Sequence, residues 1–477
     1  KVSSAANLKE IEARLSASVA PEDRAEAIAM AMSSFDHNIQ IVHDKEIASN
    51  ADSILAKHLG YLLLRRDCRQ MLPETRLALS KEVANTCTTL EMVYRASVST
   101  VLEQFKFVGG EVMSLLLKAI DDELCNRLSL SEGPNENSAN VDDKETSVDP
   151  DDIGMKDYGP QDDGGSLGTR DDETQASEAV ITLDQTEEGD TILCKASKTL
   201  GHFARVGDAT KPMAFHPGLL STLINLMNAQ PNDAVPVEAR LNAIWIIANL
   251  ACNEENMVMM ACHPELLASL IAIASRSATK TTSTTTIVEV LRAQSIAVRA
   301  LLNLSWAHEN RIPMSEMTGL VQVLSKLILF RHPPKRGRTI QELVLQTRQQ
   351  AAGTLRNLAA APRRNKIRLC EYENGLLLDV LTDAVLNDVD EGVKKRAFAT
   401  INNLAFHDTA MAMVKHPALV LALKNALLDD NALDLKPSAK GTLIVLERSI
   451  TSDMDCYSNL RELLDAVNPA ESAGEEE

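Results

Sequence analysis

Aromatic side chains make up only 3% of this 477-residue chain. β-Sandwiches and barrels draw on aromatic and β-branched residues, so the scarcity argues against an all-β fold. The abundance of Leu and Ala suits helices instead. No run of 18 apolar residues occurs, so no membrane-spanning helix and no membrane partner is expected. None of the eight cysteines forms a C-x-x-C pair, which excludes a zinc ribbon or a thioredoxin motif. Reduced thiols in a cytoplasmic or nuclear protein are the expectation. The chain opens on Lys1 rather than Met, so its true start is expected upstream and no leader can be read.

Catalytic signatures are missing too. The chain has no phosphate-binding loop, no H-E-x-x-H and no G-x-G-x-x-G. Gly164-Gly165-Ser166-Leu167-Gly168 matches G-x-S-x-G, but that motif needs a strand before it and a helix after it. Here it lies in Gly- and Asp-rich sequence with neither. Cys252 and Cys262 stand too far apart for usual zinc spacing, even with His263 beside them. Asp121-Asp122 and Asp429-Asp430 adjoin helix-end signals and read as solvated. The expectation is a non-enzymatic chain with no cofactor and no metal.

The formal charge of −19 is unevenly spread. Residues 131–190 hold 19 Asp/Glu against Lys144, Lys156 and Arg170, a balance of −16. This stretch is rich in Gly, Pro, Ser and Asp and lacks helical periodicity, so it reads as a disordered acidic linker. Residues 471–477 add an acidic tail. The linker divides a helical N-terminal region, 1–130, from a larger part, 191–470. Within the latter, Arg331 to Arg368 holds ten Lys/Arg and one acid, Glu342. Arg331, Lys335, Arg336, Arg338, Arg363, Arg364, Lys366 and Arg368 form a candidate basic patch.

The part 191–470 repeats itself. KASKTLGHFA (195–204), NAIWIIANLA (242–251), IAVRALLNLS (296–305), QAAGTLRNLA (350–359) and RAFATINNLA (396–405) align, with a weaker sixth copy, SAKGTLIVLE (438–447). Take His202, Asn249, Asn303, Asn357, Asn403 and Val445 as the reference column. Six positions earlier every copy has Ala, two earlier Leu or Ile, and one later Leu or Phe. Steps of four and three make one buried helical stripe, and the constant Ala marks a close helix approach. Periods of 42 to 54 residues point to an α-solenoid. The longer periods need insertions, expected as loops at Arg276–Thr286 and Arg331–Thr339. Between the copies, His216-Pro217, His263-Pro264, His416-Pro417, Thr318-Gly319 and Asn374-Gly375 each open a new amphipathic helix. The three His occupy equivalent places in separate repeats, so a shared metal is not expected.

These residues resemble the armadillo repeat family over about 191–450. The resemblance implies an all-α, right-handed superhelix of helical repeats. It implies that the third helices line a concave groove, where the Asn column binds the main chain of an extended peptide. By resemblance, that role falls to Asn249, Asn303, Asn357 and Asn403. An Asn amide offers a peptide unit one donor and one acceptor. Trp245 stands four residues before Asn249, as in importin-α-like members. The other copies carry Lys198, Arg299, Gly353 and Ala399 there, which argues against an import receptor. The alternative for each Asn is a helix residue tying down the adjoining loop, and for Trp245 plain core.

Residues 5–130 are helical in pattern at Glu22–Met32, Ala48–Leu64, Pro73–Ala96 and Val98–Leu130. Divergent repeats and a separate helical domain both fit. The first functional expectation is a scaffold or adaptor that holds an acidic or phosphorylated partner segment, aided by Arg299, Arg356 and Arg396. The second is chromatin or nucleic-acid association through the basic segment. Lys335-Arg336-Gly337-Arg338 fits a short nuclear-localisation pattern. His216–Leu220 and Leu324–Leu329 are similar to the armadillo-like C-terminal region of large SWI/SNF remodeller subunits. A third combines them: the linker folds back and competes for the basic surface.

Overall fold

The computed structural model describes 55, 56, 58–60, 62–64, 73–96, 111–131, 191–229, 235–277, 284–331, 337–428, 435–450 and 460–462. The G-x-S-x-G match, Asp429-Asp430, most of the acidic stretch, the tail and the Glu22–Met32 segment lie outside these residues. All regular structure among the described residues is helical.

The helices are α1 (Pro73–Ala96), α2 (Glu111–Ser131), α3 (Ile192–Ala204), α4 (Gly207–Ala214), α5 (Leu219–Asn228), α6 (Val237–Leu250), α7 (Glu254–Ala261), α8 (Leu266–Ala274) and α9 (Thr284–Leu304). They continue with α10 (His308–Glu316), α11 (Leu320–Leu329), α12 (Arg338–Ala359), α13 (Arg363–Cys370), α14 (Leu376–Asn387), α15 (Glu391–Leu404), α16 (Ala410–Val414), α17 (Pro417–Leu428) and α18 (Lys436–Ser449). From α4 onward they form three-helix units of one short helix, a second helix and a third helix. The third helices α6, α9, α12, α15 and α18 pack each on the next, and each also packs on the second helix of its own unit. This is an armadillo-type α-solenoid.

The stripe is where the spacing predicts it. The Ala column (Ala196, Ala243, Ala297, Ala351, Ala397, Ala439) is completely buried, as are the columns Leu200 to Leu443 and Phe203 to Leu446. The second helices start by two devices. Gly218, Gly319 and Gly375 precede α5, α11 and α14 with φ of 83°, 81° and 98°, a left-handed conformation that glycine adopts without Cβ strain. Glu265 opens α8 with an ordinary φ of −106°.

Helices α1 and α2 extend the same stack. Helix α1 packs on α3 as the third helices pack on one another, and α2 packs on α3 as a second helix packs on its third. Thr199 donates to the carbonyl of Cys87 at 2.9 Å, and Thr222 on α5 donates to Asp121 on α2 at 3.0 Å. One continuous core runs from Leu55 to Leu460. The acidic stretch therefore enters the chain between a second and a third helix.

The two long periods differ from the loop expectation. Helix α9 already starts at Thr284 and α12 at Arg338, so these third helices have 21 and 22 residues against 14 in α6. The reason is a private core for the added turns. Ile287 and Leu291 of α9 pack with Ile340 and Val344 of α12, each pair spaced i,i+4.

Candidate functional site

The side of the third helices turned away from the second helices carries the reference column. On a helix, positions four before and three after a residue share its face, and the position one before borders it. Trp245 and Asn249 stand there on α6, and Arg299, Asn303 and, just past its end, Trp306 on α9. Gly353, Arg356 and Asn357 stand there on α12, and Arg396, Asn403 and Phe406 with α15.

The structure engages the Asn side chains between repeats. Asn303 Nδ2 donates to the Ala248 carbonyl and Asn403 Nδ2 to the Arg356 carbonyl, both at 3.0 Å. These are equivalent bonds two third helices apart. Asn357 makes the same step through a relay: its amide donates to Ser305 Oγ at 3.0 Å, which donates to the Leu302 carbonyl at 2.7 Å. Asn357 is buried, while Asn249, Asn303 and Asn403 are half-buried. Among the described residues, no donor reaches Oδ1 of Asn303, Asn357 or Asn403. Asn249 Oδ1 instead accepts from Arg299 at 3.1 Å.

The face is cationic in its C-terminal half. Besides its bond to Asn249, Arg299 keeps its Nε buried with no hydrogen-bond partner. Burial draws its guanidinium below the usual pKa. Arg396 lies over the notch left by Gly353, where a Cβ would stand 3.7 Å from Arg396 Cδ and 3.1 Å from Leu302. Burial lowers the Arg396 pKa, and the like charge of Arg356 lowers it further. Among the described residues, no carboxylate lies within 4 Å of Arg299, Arg356 or Arg396. In the N-terminal half, Lys198 is paired with buried Glu91 at 3.3 Å, and Arg205 lies 5.9 Å from the Trp245 ring centroid.

The basic segment does not come together as one patch. Lys335 and Arg336 lie outside the described residues. Arg338 opens α12, and Arg331, just past the end of α11, shares Asp388 with Arg348 midway along α12, whereas Arg363, Arg364, Lys366 and Arg368 lie beyond the far end of α12, about 33 Å from Arg338 for a 22-residue helix. Acids distant in sequence pair three of the six described cations. Arg331 meets Asp383 at 3.3 Å, Arg363 donates to Asp408 at 2.7 Å and Arg368 meets Glu316 at 3.3 Å. Arg338 pairs with Glu342 at 2.7 Å. Lys366 lies 5.7 Å from the Phe406 ring centroid.

The His-Pro histidines reach back to the preceding second helix, each to its own partner: His216 to Ser114 at 2.9 Å, His263 to Ser221 at 3.5 Å and His416 to Asp379 at 2.8 Å. Among the described residues, no three His, Cys, Asp or Glu cluster as a metal site. Burial pushes the Cys87 and Cys370 thiols up to about 12 and Cys194 up to about 11, where thiolate chemistry is suppressed.

A second Asn column has no mark in the repeat signature. Buried Asn256 donates to the carbonyls of Leu250 and Thr210, both at 3.0 Å, and buried Asn310 to Leu304 at 2.8 Å and Met257 at 3.0 Å. Asn365 takes the Leu358 carbonyl at 2.8 Å. Each satisfies orphan carbonyls at the end of a third helix. Their recurrence seven or eight residues after the first Asn is the available signal.

The fold defines an armadillo-type repeat solenoid by class. No family model and no curated protein sequence matches the chain. The solved structures that resemble it include the following three. An engineered protein from a structural-genomics programme is 19% identical, with TM-score 0.41, over 56% of this chain and 94% of its own. A designed armadillo repeat protein is 21% identical, with TM-score 0.40, over 53% of this chain and 93% of its own. She4p is 12% identical, with TM-score 0.43, over 99% of this chain and 69% of its own.

Proposed function

We propose that this chain is a non-enzymatic interaction scaffold whose third-helix face holds an extended acidic or phosphorylated segment of a partner protein. One observation carries the reading. Arg299, Arg356 and Arg396 sit on three consecutive third helices with no acid within 4 Å, while Arg127, Arg331, Arg338, Arg348, Arg363 and Arg368 are each paired. Partly desolvated guanidinium groups favour an incoming carboxylate or phosphate, although Asp390 beyond 4 Å already supplies Arg396 with some opposite charge. The carboxamide oxygens of Asn303 and Asn403 remain to accept main-chain N–H groups of the same segment.

The test is fluorescence anisotropy of the full chain with a labelled deca-glutamate peptide, and a deca-lysine peptide as control. Arg299→Ala with Arg356→Ala and Arg396→Ala is expected to weaken deca-glutamate binding at least tenfold while the fold survives by circular dichroism. Equal binding by the triple variant overturns the arginine assignment. Preference for deca-lysine overturns the charge sign.

A further inference from the structure

We infer that the cleft between the starts of α11 and α14 is a socket for an arginine side chain of a partner protein. The cleft lies at the starts of second helices, away from the third-helix face, and does not depend on what that face binds.

The solenoid fills this step from within at three other places. His216, His263 and His416 each reach back from the start of a second helix to the second helix before it, at 2.9, 3.5 and 2.8 Å. At the step from α11 to α14 no histidine does so. The link is also one residue longer there. Residues 215–218 join α4 to α5 and 262–265 join α7 to α8, whereas 371–375 join α13 to α14. Counted from the end of the first helix, Tyr372 matches His216. Counted back from the glycine, Glu373 does.

The step is left open as a cleft of about 340 Å³, walled by Glu316, Met317 and Val321 of one unit and by Arg368, Tyr372 and Glu373 of the next. That is at the small end of ligand pockets, which run from about 300 to 1,000 Å³. Its rim is held in a costly shape. Glu373 and Asn374 have φ of 44° and 59°, and both are exposed. Left-handed non-glycine residues are uncommon and cluster at ligand clamps.

Charge and shape select the occupant. Arg368 is already engaged by Glu316 at 3.3 Å. Among the described residues, no Lys or Arg lies within 4 Å of Glu373. The Glu373 partner is neutral: Tyr372 Oη donates to Glu373 Oε1 at 2.8 Å. Burial, together with the bond to Glu373 and its charge, raises Tyr372 to about 12, so the hydroxyl stays a donor at neutral pH. The walls thus combine a carboxylate without a cation, an aromatic ring beside it and the apolar side chains of Met317 and Val321. A guanidinium pairs with the carboxylate through its planar fork and stacks on the ring, while its stem covers the apolar wall. A lysine ammonium, a point charge, gains only the first contact. Elsewhere in the chain this step is a socket for a protein side chain, which favours a partner's arginine over a free small molecule.

The experiment is magnetic resonance of the full chain with isotope-labelled methionine methyl groups. Met317, in the wall of the cleft, is the reporter, and Met317→Leu assigns its signal. The probe is acetyl-arginine methylamide, compared with the acetyl methylamides of lysine and glutamine and with free arginine. The arginine probe is expected to move the Met317 signal saturably. The lysine probe should need about tenfold more, and the uncharged glutamine probe should leave the signal in place. Glu373→Gln keeps an oxygen that accepts from Tyr372 and loses only the charge. It should bind the arginine probe about tenfold more weakly while the other methionine signals stay unchanged. A Met317 signal that the arginine probe does not move, an equal response to the glutamine probe, or unchanged affinity in Glu373→Gln overturns the inference. Equal affinity for the lysine probe overturns the choice of arginine. Tighter binding of free arginine than of the blocked probe overturns the protein partner.

Discussion

Asn303 on α9 donates its side-chain amide to the carbonyl of Ala248 on α6, 3.0 Å away. The residue that the armadillo resemblance assigns to ligand binding is thus also a tie between repeats. The same holds for Asn403 and the Arg356 carbonyl. Each Asn has a donor turned into the stack and an acceptor left over, so its two roles are separable by experiment.

The buried column should matter more for stability than the face column. Asn310→Ala strands two buried carbonyls, those of Leu304 and Met257, and is expected to cost about 2–3 kcal/mol. Asn303→Ala, at a half-buried position, should cost about 1 kcal/mol. Urea denaturation of the full chain compares the two directly. The reverse order would show that the face column carries the inter-repeat coupling.

A buried ion pair fixes α12 against the turn before α15. Arg348 donates to Asp388, and its Nε donates to the Ile328 carbonyl at 2.8 Å. Both side chains are almost fully buried. Removing one charge strands the other, so Asp388→Ala should cost about 3–5 kcal/mol. Arg331→Ala should cost less than about 1 kcal/mol, since Arg331 is 46% exposed and meets the same acid at 3.7 Å. Melting curves of the two variants test the contrast.

The left-handed starts of the second helices predict a positional effect. Gly319→Ala forces a Cβ into φ of 81° and should cost about 1–2 kcal/mol. Glu265→Ala occupies the equivalent start in an ordinary conformation and should change stability by less than about 0.5 kcal/mol. Equal effects would place the helix start elsewhere.

Acid should weaken the N-terminal end of the stack in two windows. Burial lowers His58 to about 4, against 6.5 unfolded, so the unfolded chain binds the proton first. Stability is therefore present above pH 6.5 and is lost as pH falls toward 4. Its size is on the order of 3 kcal/mol. At Glu91, burial raises the carboxyl, but the His202 hydrogen bond and the Lys198 charge outweigh it and leave the pKa below the usual value. That stability is present above the unfolded carboxylate pKa and is lost below it. Denaturation at pH 7, 5 and 3.5 should show His58→Gln flattening the upper window and Glu91→Gln the lower.

The core stripe was legible because burial and helical period act on every copy alike. Ala196 through Ala439 had to be small and Leu200 through Leu443 apolar, whatever the loops did. Helix α1 was legible as Pro73–Ala96 but its place in the stack was not, because its tie to α3 uses the Cys87 carbonyl and the Glu91 carboxylate, neither of which repeats. The basic segment looked like one surface for a related reason. Summed charge ignores partners such as Asp383 and Asp408, which lie 52 and 45 residues away along the chain. The arginine face was partly legible, since Arg299, Arg356 and Arg396 stood near the Asn column. What packing adds is that they stand on three consecutive third helices with no acid within 4 Å, a lack they share with Arg292 and Arg311.

The acidic stretch joins α2 to α3 across a packed interface, and this bears on how the chain survives cleavage. A cut between residues 132 and 190 severs the polypeptide but leaves Thr199 bound to Cys87, Thr222 to Asp121 and Lys198 to Glu91. The two fragments should then elute together under native conditions and separate only in denaturant. Expressed as separate halves, they should reassemble, so the molecule behaves as a natural split protein whose seam runs through one repeat.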